Sequence, residues 1–400
     1  MDRVATLSFR EARLSVLERV RVGRRTPPVV ETDLASAAGR VLAADIPADR
    51  DYPPLARSIR DGFAVRAIDL PGTLRIAGEV RAGRRYEGAV GPGEAVEIMT
   101  GAPVPPGADA VVMIEYATRE DGRVRIDRAA EPHQFIVARA SEARAGETLL
   151  RAGTRLDYSA IAVAAAVGRS VLPVYALPRV AIIATGDEIV DVSAVPLDFQ
   201  VRNSNVYSLA AQVRRAGGLP EPLPVAPDEI HATRTLVERG LDTDLLLLSG
   251  GVSAGKYDLV ERALADAGAE FFFDRVLIQP GQPLVFGRAR GTFFFGLPGN
   301  PASTMLTFEV FARAAVELAG GQEESVLPMP LARLTEEFHH KVGLTRFLPA
   351  RLAPDGAEVT PVPWHGSGDM PALARANAYL VADAERAAWA RGDLIPVLAK

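Results

Sequence analysis

Three short polar turns interrupt apolar runs in this chain of 400 residues: Thr185-Gly186-Asp187-Glu188, Ser249-Gly250-Gly251-Val252-Ser253 and Leu297-Pro298-Gly299-Asn300-Pro301. Adjacent carboxylates at a strand end, here Asp187 and Glu188, suit Mg²⁺, a hard ion that takes one or two carboxylates and completes its shell with substrate phosphate oxygens. The plainer alternative is a pair of acids that only finish a turn. The turn from Ser249 to Ser253 offers backbone N–H groups with little side-chain obstruction, which suits phosphate oxygens. A tight strand-to-helix connection would have the same composition. Asn300 followed by Pro301 is a ready N-cap and first helical residue, a complete structural explanation on its own. In an open doubly wound sheet, ligands bind beyond the carboxyl ends of the strands. Three such turns on one edge of one sheet therefore form a candidate site.

The segment Gly250-Gly251-Val252-Ser253-Ala254-Gly255-Lys256-Tyr257 nearly matches the phosphate-binding loop pattern GxxxxGK[ST]. Its last position fails, because Tyr257 cannot place a small hydroxyl on Mg²⁺. Asp228 and Asp258 fall at helix starts, where Asp commonly caps and offsets the dipole. The histidines (His133, His231, His339, His340, His365) show no ligand spacing, and the pair His339-His340 reads as a solvated strand or turn.

The elements that must carry the turns follow from periodicity. Phe9 to Val22 has apolar residues at helical spacing (Phe9, Ala12, Leu14, Leu17, Val20), and a second amphipathic segment spans Asp33 to Leu42. Residues 45–136 alternate short β-rich runs (Leu74–Val80, Ala95–Met99, Ala110–Tyr116, Val124–Ile126) with Gly and Pro clusters, a compact β-rich module. It is inserted between residues 1–44 and 137–177, an N-terminal region of helix plus β segments. Residues 178–326 alternate strands (Val180–Ala184, Pro220–Ala226, Leu245–Leu248, Thr292–Leu297) with helices (Asn203–Ala216, Asp228–Arg239, Tyr257–Ala267, Pro301–Leu318). That alternation predicts a doubly wound, mostly parallel sheet. Residues 327–400 return to short strands and predict a small C-terminal β-barrel. The fold class is α/β plus β, multidomain.

Composition narrows the chemistry. With Lys+Arg 45 against Asp+Glu 50 the net charge is −5, which gives no global attraction for nucleic acid or an anionic membrane. The absence of cysteine removes disulfides, thiolate metal sites and a Cys nucleophile at once. No apolar stretch approaches the roughly 20 residues that span a bilayer, so the expectation is a soluble, cytoplasmic protein.

Two further segments carry a resemblance. Ser58-Ile59-Arg60-Asp61-Gly62-Phe63-Ala64-Val65 and Met99-Thr100-Gly101-Ala102-Pro103-Val104-Pro105 resemble two signatures of the MoeA and gephyrin E-domain family, the molybdopterin molybdenumtransferases. The three polar turns resemble its other signatures, in family order over nearly the whole chain. The resemblance implies a four-domain homodimer that takes adenylylated molybdopterin and molybdate as substrates, with Mg²⁺, and releases AMP as molybdenum joins the dithiolene. Carried over by position, Asp61, Glu188 and Asp228 are catalytic, and Asp187, Glu188 and Asp258 hold the metal. Substrate contacts fall to Thr100, Ser249, Gly250, Gly251, Ser253, Asn300 and Lys256, with Pro298, Pro301 and Ser303 in the family's glycine–proline pocket. A molybdopterin adenylyltransferase and downstream cofactor acceptors are the implied partners.

Two motifs depart from the family. Its K-P-G-K-P stretch stands here as Gln279-Pro280-Gly281-Gln282-Pro283, and its G-R-T-E-F-x-R region as Gly343-Leu344-Thr345-Arg346-Phe347-Leu348-Pro349. Both regions are associated with oxyanion handling in the family. Lys256, Arg275 and Arg346 are the candidate cations to compensate. A scaffolding role and a P-loop-type nucleotidase are the alternative readings.

Overall fold

The computed structural model describes residues 6–251 and 259–400. Helix α1 (Phe9–Gly23) starts at a reciprocal cap: the Ser8 hydroxyl accepts from the Glu11 N–H, and the Glu11 carboxylate accepts from the Ser8 N–H. Such a cap contributes about 1 kcal/mol. The helix buries Phe9, Ala12, Val16 and Val20, while Leu14 of the predicted stripe faces solvent at 55% exposure. Burying Phe9 alone contributes about 1.5–3 kcal/mol. The segment Asp33 to Leu42 is not an amphipathic helix. Asp33 closes a strand and caps a single 3₁₀ turn, Leu34–Ser36, because its carboxylate takes the Ser36 N–H.

The module that follows is a sheet of β1 (Gly62–Val65), β2 (Gly72–Val80), β3 (Glu94–Ile98), β4 (Ala110–Met113), β5 (Ala117–Glu120) and β6 (Arg123–Ile126), ordered β4-β1-β3-β2-β6-β5. The run expected through Tyr116 breaks after Met113 into a 3₁₀ turn, Ile114–Tyr116. The Ala-rich helix α2 (Tyr158–Ala166) packs Ala160 and Ala164 against Leu42, Leu156 and Leu172.

The central body consists of β7 (Arg179–Ala184), α3 (Ser204–Arg215), β8 (Leu219–Pro222), α4 (Ile230–Leu241), β9 (Leu245–Ser249), α5 (Leu259–Asp266), β10 (Glu270–Val276), β11 (Ile278–Gln279), β12 (Pro283–Ala289), β13 (Thr292–Leu297), α6 (Pro301–Thr307) and α7 (Arg313–Ala319). Its sheet runs Thr6–Leu7, β10, β12, β13, β9, β7, β8. Only β12 runs against its neighbours, so the sheet is mostly parallel, with β10 and β12 as a pair that the alternation did not predict. Successive side chains on a strand face opposite ways. Accordingly Val180 and Ile182 pack under α1, α3 and α7, and Ala181 and Ile183 under α4 and α5. The helix expected from Pro301 to Leu318 is interrupted by a π turn, Phe308–Ala312, which buries Glu309 against Arg215 and Arg313, each at 3.0 Å.

The C-terminal strands β14 (Leu331–Leu334), β15 (Thr345–Leu352), β16 (Glu358–Pro361), β17 (Ala378–Ala382) and β18 (Leu394–Ala399) close on themselves through the β15–β17 pairing, with helix α8 (Met370–Arg375) before β17. Phe347, Tyr379 and Val381 of this barrel join the central core. His340 is not solvated: it is buried in a stack with Phe338 and Trp389, with Nε2 2.7 Å from the Arg386 carbonyl. No helix among the described residues is long and apolar enough to cross a membrane.

Candidate active site

The register of the parallel strands brings the three polar turns level. Ala184 pairs with Ser249, and Ser249 with Leu297, so β7, β9 and β13 end together. Backbone bonds join the turns across the edge: Thr185 N–H to the Ser249 carbonyl and Gly250 N–H to the Leu297 carbonyl, both 3.1 Å. Above them lies a cleft of about 1030 Å³ lined by Thr185, Glu188, Ser249–Gly251 and Pro298–Pro301, with Gly368 and Met370 of the C-terminal part on one side. Its size suits a cofactor-sized molecule.

The glycine turn is built by close approach. Gly250 and Gly251 have φ of +93° and +66°. A Cβ on Gly250 would stand 2.9 Å from the Thr185 carbonyl oxygen, and one on Gly251 2.8 Å from Thr185 Oγ1. Only glycine holds both the conformation and the space. The Gly250 N–H is spent on Leu297, which leaves the Gly251 N–H as the turn's donor among the described residues. Ser253, Lys256 and Asp258 lie outside the described residues.

The acids separate. Glu188 lines the cleft and folds back over Gly186, where a Cβ would stand 2.3 Å from its Oε2. Asp187 turns the other way, its Oδ1 accepting the Asp228 N–H at 3.0 Å. Asp228 does not cap α4; that falls to Glu229, whose carboxylate takes the His231 and Ala232 N–H groups and is held below its ordinary pKa by them. Neither Asp187 nor Asp228 lines the cleft, and among the described residues no group of three His, Asp or Glu stands together to hold a metal. Asn300 does occupy the N-cap position of α6, but its amide donates to Ser367 Oγ at 2.8 Å instead of capping, which ties the turn to the segment before α8. Ser303 is buried in α6 away from the cleft lining.

Asp61 and Thr100 meet at the edge of the module. Gly62 opposite Ile98 brings the loops before β1 and after β3 together, and Asp61 Oδ1 accepts both the backbone N–H (2.6 Å) and the hydroxyl (2.8 Å) of Thr100. These two bonds hold the Asp61 carboxyl below its ordinary pKa, so it is ionised at neutral pH. Neither residue lines the cleft of its own chain.

Two cleft residues escaped sequence reasoning. Asn205 in the first turn of α3 donates to Ser249 Oγ and to the Gly299 carbonyl. Its signal was a polar side chain directly before the apolar stripe Val206, Leu209, Val213. Arg202, just before α3, supplies a cation at the rim.

Comparison with known proteins decides the family. Residues 7–168 match the model for the MoeA N-terminal region (domains I and II), residues 181–318 that for a probable molybdopterin binding domain, and residues 331–400 that for the MoeA C-terminal region (domain IV). The chain is 31% identical over 392 residues to a molybdopterin molybdenumtransferase of Staphylococcus aureus, covering 96% of this chain and 94% of the relative. The chain belongs to the MoeA family. A Bacillus subtilis molybdopterin molybdenumtransferase is 34% identical over 379 residues, covering 91% of this chain and 88% of that one. The crystal structure of a molybdopterin biosynthesis MoeA protein from Pyrococcus horikoshii superposes with a TM-score of 0.82 at 26% identity, covering 99% of this chain and 100% of that one. The MoeA architecture therefore extends over the α/β body, the β-rich module and the C-terminal barrel alike.

Proposed function

We infer that this chain is a molybdopterin molybdenumtransferase that inserts molybdenum from molybdate into adenylylated molybdopterin and releases AMP. The observation that carries the reading is the cleft at the level carboxyl ends of β7, β9 and β13, lined by both the glycine turn and Glu188, in a chain of the MoeA family. In this reading the phosphoanhydride lies over Gly251. Water attacks phosphorus and the P–O bond to the adenylate breaks, releasing AMP; two Mo–S bonds form as two molybdate oxygens leave as hydroxide with the two thiol protons, the oxidation state of molybdenum unchanged.

Each residue has a definable part. The Gly251 N–H faces a phosphate oxygen, where a preorganised donor lowers the energy of developing charge. Pro298–Pro301 and Met370 wall the cleft on the side given to the pterin. Glu188 is a hard oxygen donor at the phosphate end. One carboxylate plus substrate phosphates is the donor set Mg²⁺ ordinarily accepts, whereas no preformed cage exists among the described residues. When bound, the ion would neutralise charge on the anhydride.

Asp61, held ionised by Thr100, acts as an acceptor that orients a donor of the substrate. It reaches the cleft from a second copy of the chain, in a two-fold homodimer with shared sites. Supporting this are the absence of Asp61 from its own chain's cleft and the exposed apolar side chains of the N-terminal region, Val29, Val30, Tyr158 and Val171. We assign the enzyme to the cytoplasm, supplied by an adenylyltransferase and drained by cofactor acceptors.

The test is AMP release from adenylylated molybdopterin with and without molybdate and Mg²⁺, scored beside reconstitution of a cofactor-free molybdoenzyme. AMP formation coupled to active cofactor is expected. ATP hydrolysis without molybdopterin, or binding without turnover, would replace this reading with a nucleotidase or a scaffold.

A further inference from the structure

We propose that Asn205 is a positioning residue for this reaction: its side-chain amide fixes the spacing of the Ser249 and Gly299 turns and so sets the Gly251 N–H against the reacting phosphate. The inference rests on the reading of the cleft given above.

Asn205 is 8% exposed and lines the cleft between the two turns. Its Nδ2 donates to Ser249 Oγ at 2.8 Å and to the Gly299 carbonyl at 2.7 Å, which uses both amide protons. The Gly299 oxygen can only accept, so the nitrogen must face it and the orientation of the amide is determined. The other end, Oδ1, is buried with no hydrogen-bond partner among the described residues. The amide is kept for its two donors.

Helix initiation does not need this residue. Asn203 occupies the N-cap of α3 and accepts the Val206 N–H, while Val206, Leu209, Ala210 and Val213 anchor the helix in the core. The two donors thus hang from a fixed platform. The turns they join are already in contact, since a Cβ on Gly299 would lie 3.5 Å from Gly250 Cα. That distance is ordinary van der Waals contact, and the Gly250 N–H bond to the Leu297 carbonyl ties the turns at their base, so the Asn205 amide adds the link farther out, at Gly299.

The substitutions Asn205→Ala, Asn205→Asp and Ser249→Ala separate the parts. Asn205→Asp can still receive the Ser249 hydroxyl but opposes the Gly299 carbonyl with a carboxylate oxygen. Measured per folded molecule, Asn205→Ala and Asn205→Asp should lower kcat for AMP release about 10²-fold, the scale of a misplacement near 1 Å, with KM changed less than about threefold. Ser249→Ala added to Asn205→Ala should cost no more than about a further twofold, because the pair acts as one unit. A purely structural residue would lower the unfolding midpoint and leave kcat and KM of the folded fraction alone. Wild-type kcat in Asn205→Asp, or fully multiplicative losses in the double variant, overturns the proposal. If Asn205→Ala does not fold, Asn205→Asp and Ser249→Ala decide it, each expected to lose kcat and not affinity. Glu188→Gln runs as control: if it too keeps wild-type turnover, the reading of the cleft has failed, not the role of Asn205.

Discussion

Gln279 stands opposite Arg346 in a parallel pairing that joins β11 of the central body to β15 of the barrel. The two segments in which this chain departs from its family are therefore neighbours in space, and the loop after Gln279 leads to Pro283 at the cleft wall. Gln279 is exposed, whereas Arg346 is half-buried with its Nε buried and without a hydrogen-bond partner among the described residues. A guanidinium can supply the charge that a neutral glutamine cannot.

Arg346→Ala should thus raise the molybdate concentration for half-maximal insertion about ten- to a hundredfold, the equivalent of one charge-assisted contact at roughly 1.5–3 kcal/mol. Gln279→Lys should lower it. Titration of molybdate at saturating adenylylated molybdopterin reads both. Unmoved midpoints in both variants would remove this pairing from oxyanion handling.

A second expectation concerns pH. The Thr100 donors stabilise the ionised Asp61 carboxylate, so its folded pKa is lowered. Activity that needs this anion should persist below the ordinary aspartate range and fall only as pH drops through the lowered value. Thr100→Val removes the hydroxyl donor and keeps the backbone one, so the acid limb of kcat/KM should move up towards the ordinary value. The sign for stability is the same: the bonds help above the unfolded pKa and are lost as pH falls through the folded one. An acid limb at the same pH in Thr100→Val would separate Asp61 ionisation from catalysis.

The strands that carry the cleft were legible because β7, β9 and β13 are continuous apolar runs, each ending in Gly-rich polar turns. The pair β10 and β12 was not, although Phe271-Phe272-Phe273 is as apolar, because an antiparallel pair adds no helix to the alternation. The π turn was invisible: Phe308 to Ala312 keeps helical spacing, and the Glu309 pairs that accompany it, with Arg215 and Arg313, are distant or a turn away in sequence. His340 misled because Trp389, which encloses it together with the nearby Phe338, lies far away in sequence. In the site, the turns could be read but not the partition of Asp187 from Glu188. That depends on which carboxylate meets the Asp228 N–H.

Glu309 yields a stability prediction. It is 4% exposed and meets Arg313 from its own helix and Arg215 from the end of α3, beside Tyr379, whose hydroxyl is pushed up in pKa mainly by burial and then by Glu309. Arg215 is half open to water and Arg313 keeps Glu317 as a partner, so removing the carboxylate costs less than a fully buried pair would, about 1.5–3 kcal/mol for its charged contacts. Glu309→Ala should therefore lose about that much in denaturant unfolding. Turnover per folded molecule should stay close to wild type, since Glu309 does not line the cleft. A loss below about 1 kcal/mol would mean that the arginines escape to water.

The proposal of a site shared between protomers makes the most discriminating prediction. Glu188→Gln should bind substrate yet lose AMP release about 10²–10³-fold, the usual scale for one electrostatic contact to the transition state. Asp61→Asn should be similarly impaired. If Asp61 of one protomer serves the cleft of the other, a heterodimer of the two variants has one cleft with both residues intact and one with both altered. Random exchange makes half the dimers mixed, so about a quarter of wild-type activity should return. If both residues instead served a cleft within one chain, every cleft would carry one lesion and nothing would return. The measurement is AMP release after the two variants are mixed, with subunit exchange followed independently by a mass tag on one of them. Verified exchange without recovered activity would overturn the sharing of the site between protomers.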